Sequence, residues 1–559
     1  MKLSARQLFI AFFCISIVLG IFHAVASRDA INPDGIAYIE VAQSYVRGDW
    51  QSALSAYWSP LYAWLIALVF LIVQPPLAWE LSVVHGLNFL IFICSFFAFH
   101  FLLNELEKSS NAQETKIPFI LVRLVGYCTF LISSLGLIRI ALVTPDMLVA
   151  VFVYLSAGLS VRFCRNTDVG SAILLGAVLA LGYFAKTILF PLGLIFLVAL
   201  ALSVRFRWSH ILKIGLALFI FLSISSLYII TLSKNRGYLT IGDSGPLVYN
   251  LQVNRVPSLV HWQGDALSGV PSHATRKVMD APTIFEFRSP AGGTYAPWFD
   301  PAYWNQGMEP YFDWGNQLRA FTRNTKGLYL LTVYYFSPIV FLLFIFFWLS
   351  ECSVLQFAKR IFSRRTLTIP ALCALAVYFS ISVEGRYVAP FLALLWIAIL
   401  TEVSVSKNLD QKKVVHALVM GAATAFCFLV VLFSANDMRD SFPVFVGQSM
   451  AESRHEQIAR GLRGLGVNAG DEVGVISQYV AGFESYWAHL AGVRIVAELP
   501  SNEANAYWFA NDKTKDDVLK TFKKTGIRAV IMEDMRSPKP LAGWQRLGDT
   551  PYYVYLISQ

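Results

Sequence analysis

Apolar residues run along this chain in blocks separated by short polar stretches. The blocks fall at 8–26, 80–103, 117–138, 147–163, 171–185, 188–204, 211–232, 327–349, 367–383, 387–405 and 414–434. Several reach the roughly 20 residues that a spanning helix needs. One more block, 58–74, is shorter and opens on Trp58-Ser59-Pro60. Two regions break the pattern. Residues 233–326 are polar and rich in Pro, Gly, Trp and Tyr, and residues 435–559 have soluble-domain character. Within the second region, 472–477, 493–497, 527–532 and 552–556 read as strands, and 451–465 and 514–525 as helices. Such alternation predicts a mostly parallel sheet with helices packed on it.

Composition sharpens this into a class. The 559 residues are 56% hydrophobic and 14% charged, where a soluble protein carries about 25% charged residues. The chain reads as a polytopic α-helical membrane protein of about eleven spans plus juxtamembrane helices, with a small C-terminal α/β soluble domain. The expected division is a membrane domain over 1–434, including outer loops 27–79 and 233–326, and an extracytoplasmic α/β domain over 435–559. The first block reads as a signal-anchor, because further spans follow and Ser27-Arg28-Asp29 makes a poor cleavage site. The seven cysteines lie outside both long polar regions and form no metal or disulfide pattern. Gly464-Leu465-Gly466 is too short a match for a dinucleotide loop.

The net charge of +9 does not point to nucleic acid, because much of it sits in short loops. If 58–74 lies along the interface or re-enters, and the N-terminus is cytoplasmic, the inner loops hold Lys2, Arg6, Lys108, Lys116, Arg162, Arg165, Arg205, Arg207, Lys213, Lys359, Arg360, Arg364, Arg365, Lys407, Lys412 and Lys413. The short outer loops hold Arg28, Arg47, Arg139, Lys186 and Arg386. Sixteen against five is a clear positive-inside pattern. A crossing by 58–74 would invert it. The assignment puts Asp34, Asp146, Lys186, Arg386, the 233–326 loop and the C-terminal region on one outer side.

Charges at those outer helix ends are the candidate chemistry. Asp34 sits in Asn32-Pro33-Asp34-Gly35, with Tyr38, Glu40 and then Gly48-Asp49-Trp50 beyond. A carboxylate so near a bilayer is costly, yet the same residue types also make a turn and a helix cap. Asp146, in Thr144-Pro145-Asp146, is equally a good helix start. Lys186 interrupts an apolar stretch, either snorkelling or meeting an anion. Glu384-Gly385-Arg386-Tyr387 sits between two apolar blocks. Its charges either pair with each other or turn Arg386 onto a phosphate, which suits a guanidinium fork. Arg139 is a weaker candidate of the same kind. Trp262, Trp298, Trp304 and Trp314 could stack on sugars or sit at the membrane interface.

Taken in order, these motifs resemble those of the GT-C membrane glycosyltransferases, over roughly residues 1–405. Asn32-Pro-Asp-Gly-Ile-Ala-Tyr38 through Gly48-Asp-Trp50 is similar to the first outer loop of the aminoarabinose transferases, the protein O-mannosyltransferases and the RgtA/B-like lipopolysaccharide transferases. Trp58-Ser-Pro-Leu-Tyr62, Thr144-Pro-Asp146, Tyr183-Phe-Ala-Lys186 and Gly385-Arg-Tyr-Val-Ala-Pro390 resemble the later motifs. Two positions depart from the aminoarabinose transferases: Trp58-Ser59-Pro60 replaces a Glu-Lys-Pro sequence, and Ala37 replaces an Arg. Both put lipid A modification in doubt.

The resemblance implies inverting transfer of a sugar from a polyprenyl-phosphate donor to a hydroxyl of a lipid, glycan or protein, at the outer face of a bacterial inner membrane. In that scheme Asp34 is the general base and Asp146 orients the acceptor or supports Asp34. Lys186, Arg386, Tyr387 and Arg139 face the donor phosphate, and Tyr38 and Glu384 position substrate. No cofactor is called for, and a divalent ion joining Asp34 and Asp146 stays open. A transporter or lipid flippase is the rival reading, and a ligase taking a longer lipid-linked glycan is a third. The transporter predicts internal repeats, of which the chain has no trace.

Overall fold

The structure, a computed structural model, describes all residues except 1–3, 111–116, 289–291, 350–353, 404–408, 448–451, 478–484, 534–541 and 558–559. Lys2, Lys116 and Lys407 of the charge count lie outside the described residues.

Among the described residues, eight helices are long and apolar enough to cross a membrane: Ala5–Ala26, Leu77–Ser109, Phe119–Ile138, Asp146–Asn166, Trp208–Arg236, Trp314–Phe347, Gly385–Glu402 and Lys413–Phe445. Four shorter apolar helices join them: Pro60–Val73, Val169–Ala185, Leu189–Ala201 and Arg365–Ile381. The chain is a multi-pass membrane protein. Length does not separate Pro60–Val73 from the other short helices, since Leu189–Ala201 has only 13 residues against its 14. Topology bears on the question. Asp34 and Asp146 meet at one end of the bundle, both within reach of Arg386. An even number of crossings must therefore separate them. Leu77–Ser109 and Phe119–Ile138 are long enough to supply two, a parity that accords with Pro60–Val73 as a juxtamembrane helix.

A second set of ion pairs marks the opposite end. Arg165 pairs with Glu105 at 2.8 Å, Arg123 with Glu107 at 2.5 Å and Arg364 with Glu402 at 2.6 Å. These residues belong to the loops and helix ends that the charge asymmetry places inside.

The polar region after 232 is more ordered than its composition suggests. Helix Trp208–Arg236 carries the chain past the expected boundary, and the next long helix starts at Trp314 rather than near 327. Between them lie strands β1 (Arg276–Asp280) and β2 (Thr283–Glu286). They join β3 (Glu472–Ile476), β4 (Arg494–Leu499), β5 (Ala529–Glu533), β6 (Gln545–Arg546) and β7 (Tyr552–Leu556) in a single sheet of order β1-β2-β4-β3-β5-β7-β6.

This corrects the expectation of a mostly parallel sheet. Only β3–β4 and β3–β5 run parallel. The four outer pairings are antiparallel, because β7 returns beside β5 and the loop hairpin fills the edge beside β4. Helix Leu409–Phe445 runs unbroken through residue 435 toward this domain. Ile476, Val496, Val530, Val518 and Phe522 are buried between the sheet and helix Asp512–Lys524.

Candidate active site

Four helix ends converge on one cluster of charge. Asp34 is the second residue of helix Pro33–Val46, and Asp146 is the first of Asp146–Asn166. Lys186 caps Val169–Ala185 in an extended conformation, and Arg386 is the second residue of Gly385–Glu402. Three of the four follow the helix dipole, the acids at N-terminal ends and Lys186 at a C-terminal end; Arg386, at an N-terminal end, runs against it and is held by the carboxylates around it.

Lys186 Nζ donates to Asp146 Oδ1 at 2.5 Å and lies 3.8 Å over the Tyr387 ring. Arg386 Nη1 donates to Asp34 Oδ2 at 3.1 Å and stands 3.7 Å from Asp146 Oδ2. Its Nε reaches Glu384 at 3.0 Å and its Nη2 the Tyr387 hydroxyl at 3.0 Å. Thr144 donates its hydroxyl to Asp146 at 2.9 Å. Asp146 is buried, whereas Asp34 and Lys186 keep about a quarter of their side-chain surface open. The site thus carries two cations and three carboxylates, Asp146 buried and Glu384 at the rim, with Asp34 and Lys186 open to an incoming molecule.

The local sequence explains the convergence. Asn32 makes no cap bond to its own helix; its Oδ1 instead accepts from the Val143 N–H at 2.8 Å. Gly35 is needed at the same contact, because a Cβ there would stand 2.6 Å from Val143 Cβ. The Ser59 hydroxyl accepts from the Thr187 N–H at 3.1 Å and so ties the start of helix Pro60–Val73 to the Lys186 break. Tyr38 packs edge-on against Trp58 and Tyr62, each 5.2 Å away. Trp298, from the ordered loop, stands 5.8 Å from Trp58 and 6.1 Å from Tyr57. Burial, and after it the Asp34 carboxylate, push the Tyr38 and Tyr57 hydroxyls well above their ordinary range. Both therefore stay protonated.

Of the residues singled out by sequence, Asp34, Asp146, Lys186, Glu384, Arg386 and Tyr387 share this cluster, with Tyr38 beside it. Arg139 does not join them. It is exposed, with positive φ, at the end of a π-helical turn. Among the aromatics, Trp262 and Trp304 are buried and Trp314 is exposed.

Several supporting residues escaped the sequence reading. Asn88 donates to the carbonyls of Ile140 and Leu142 at 3.0 and 3.1 Å and accepts from Tyr62 at 2.6 Å. His85 reaches Ala30 O at 2.9 Å and Ile140 O at 3.3 Å. Together they order the turns before Asp34 and Asp146. Two polar residues three apart inside an apolar block were the signal that could have found them. Gln317, Arg323 and Asn324 donate to the carbonyls of Ser380, Ile381 and Phe379 at 2.7, 2.8 and 2.8 Å. They satisfy the end of helix Arg365–Ile381 and fix the break that presents Arg386.

A metal fits this arrangement poorly. Among the described residues, no group of three or more His, Cys, Asp and Glu is placed to hold an ion. Arg386 itself occupies the position between Asp34 and Asp146.

No known protein family and no curated protein matches the sequence. Solved structures do match. ArnT from Cupriavidus metallidurans in the apo state aligns with a TM-score of 0.52 at 12% identity, over 99% of this chain and 98% of its own. The same protein bound to undecaprenyl phosphate aligns with a TM-score of 0.53 at 11% identity over the same shares. The Archaeoglobus fulgidus oligosaccharyltransferase, in complex with Zn and sulfate, aligns with a TM-score of 0.52 at 11% identity over 93% of this chain and 68% of its own. ArnT and the oligosaccharyltransferase are GT-C glycosyltransferases, and the chain has their fold.

Proposed function

We propose that this protein is a membrane glycosyltransferase. It moves a sugar from a polyprenyl-phosphate donor to an acceptor hydroxyl of a lipid, glycan or protein at the periplasmic face of a bacterial inner membrane. One observation carries the reading: Asp34, Asp146, Lys186 and Arg386, each from a different helix end, form one contact cluster at a single end of the bundle. A carboxylate open to solvent, beside two cations suited to a phosphate, matches the needs of inverting transfer from a lipid-phosphate sugar. That ArnT has been solved with undecaprenyl phosphate supports a lipid phosphate as the leaving group.

In the proposed reaction the phosphate of the donor takes Lys186 and Arg386 as partners, and Arg386 lets go of Asp34. Asp34 then accepts the proton of the acceptor hydroxyl. The acceptor oxygen bonds to the anomeric carbon as the carbon–oxygen bond to phosphate breaks, and that bond's electron pair leaves on the phosphate. Attack from the face opposite the phosphate inverts the anomeric centre. Lys186, Arg386 and the Tyr387 hydroxyl stabilise the charge that develops on the leaving group. Asp146 holds Lys186 and Arg386 in place, and Glu384 and Tyr38 bound the substrate space.

The test is release of polyprenyl phosphate from a panel of undecaprenyl-phosphate sugars by the purified protein and by its Asp34→Asn variant. The amide keeps an acceptor for Arg386 and hence the fold, but cannot take the proton. Loss of a general base lowers the rate about a hundred- to ten-thousand-fold. Near-normal turnover by Asp34→Asn would refute the assignment of the base, and translocation of donor without turnover would favour a transporter.

A further inference from the structure

The helix that carries Asp34 has a second anchor, near its middle. Glu40 lies six residues beyond Asp34, about 9 Å along the helix at 1.5 Å per residue. His489, on helix Tyr486–Ala491 of the C-terminal domain, inserts between Glu40 and Glu80. Its Nδ1 stands 3.2 Å from Glu40 Oε1, and its Nε2 2.9 Å from Glu80 Oε2. Gln43 donates to Glu80 at 2.6 Å. The Thr294 N–H donates to both oxygens of Glu40 at 3.0 Å. His489, Glu40 and Glu80 are all buried.

Both ring nitrogens face carboxylate oxygens, so both carry hydrogen and the ring is an imidazolium. Burial works against that charge. The hydrogen bonds and charges of Glu40 and Glu80 more than reverse it and lift the group to about 9. Tyr486 stacks on the ring at 5.4 Å, and its hydroxyl feels Glu80, Glu456 and Asp29. Burying two carboxylates and an imidazolium is a poor way to gain stability, since apolar side chains would dock a domain as well. Buried polar groups are better at fixing register, and the register fixed here is that of helix Pro33–Val46.

The two anchors differ in one respect. The Asp34 contact goes to Arg386, the group that a donor phosphate would take. The Glu40 contact goes to His489 of the C-terminal domain and to the Thr294 N–H, neither of which touches Lys186 or Arg386. We propose that His489 is a positioning residue: through Glu40 and Glu80 it keeps the Asp34 helix in place when Arg386 turns to a bound phosphate. The inference rests on the glycosyltransferase reading for its purpose, but not for its test.

The test follows amide hydrogen exchange of residues 36–46 in the full chain for wild type, His489→Ala, Arg386→Ala and the double variant. Either anchor alone should keep the helix protected. The double variant should exchange about tenfold faster than the product of the single effects, an ordinary coupling within a shared network. His489→Gln, which keeps a donor toward one carboxylate, should lie between wild type and Ala in the Arg386→Ala background. It also serves as the working variant should His489→Ala not fold. A double variant no faster than Arg386→Ala overturns the proposal. So does an equal loss of protection in β3–β5, which would mean that the whole domain has come apart.

Adding undecaprenyl phosphate to His489→Ala, in place of the Arg386 change, separates this inference from the reading beneath it. Faster exchange with the lipid supports both. No response to the lipid, alongside a positive double variant, leaves the His489 anchor standing and removes lipid phosphate as the partner of Arg386.

Discussion

Replacing Lys186 with methionine tests the electrostatics of the site without touching the proposed base. Lys186 Nζ is the nearest cation to Asp146, at 2.5 Å, and Asp146 is only 2% exposed. Removing one partner of a buried ion pair costs about 3–5 kcal/mol, because the other charge is stranded. Two features of this site reduce the figure. Lys186 is itself 25% exposed, so part of its charge is already solvated. Arg386, at 3.7 Å, and the Thr144 hydroxyl, at 2.9 Å, stay beside the carboxylate. The expected destabilisation is therefore about 2 kcal/mol.

Adding Asp146→Asn to Lys186→Met removes the stranded charge and should return about half of that loss, a coupling of the usual size for contacting residues. The assay is thermal unfolding of wild type, both single variants and the double variant, in one detergent and at one scan rate, since membrane proteins unfold irreversibly. Undecaprenyl phosphate should raise the wild-type midpoint, and raise that of Lys186→Met much less, because the lipid anion has lost a partner. Two results would refute the reasoning: Lys186→Met melting with wild type, or the double variant melting as low as Lys186→Met.

Further outcomes follow from other contacts. Gly35→Ala places a Cβ 2.6 Å from Val143 Cβ and 2.9 Å from Ile31 Cδ1; the turn must shift, at about 1–3 kcal/mol, and turnover should fall at least tenfold while the protein still purifies. Asn88→Leu strands the buried Tyr62 hydroxyl, while Ile140 O keeps His85 and Leu142 O keeps the Thr144 N–H; it should lower stability by about 1–2 kcal/mol, read as a lowered melting midpoint. His489 gives a pH dependence. Its folded value of about 9 stands above the ordinary 6.5, so its contribution is full below about 6.5 and is lost as pH rises through about 9. Proteolysis of the C-terminal domain should therefore quicken above pH 9, and His489→Gln should flatten that rise.

Much of the site was legible because its residues are anomalies where they stand. A lysine inside an apolar stretch and an Arg-Tyr pair between two spans are expensive in a bilayer, and cost is visible from sequence alone. The charge asymmetry then placed them on one side, and parity accords with 58–74 as a juxtamembrane helix. Apart from His85 and Asn88, what stayed hidden has no cost signature. Gln317, Arg323 and Asn324 bind backbone carbonyls, and a carbonyl is the same at every position. β1 and β2 are five and four residues long within a stretch rich in turn formers, so nothing marked them as the edge of a distant sheet. The order of strands and helices in 435–559 was read, but it says nothing about which strand edges other segments will cover. β2 supplies that answer by pairing with β4.

The resting contacts also imply an order of events on the proposed reading. An aspartate paired with arginine at 3.1 Å has a carboxylate oxygen already engaged, and an incoming hydroxyl must compete for it. Asp34 is in that state while the site holds no anion. A phosphate arriving between Lys186 and Arg386 competes for the same guanidinium as a second bidentate acceptor. Its arrival therefore frees the Asp34 carboxylate at the moment the anomeric carbon is in place. An acceptor that came first would meet a carboxylate already spoken for. Donor before acceptor is thus the order that this pairing of charges favours, and Asp146, buried and held by Thr144 at 2.9 Å, is the fixed counter-charge around which Arg386 can turn.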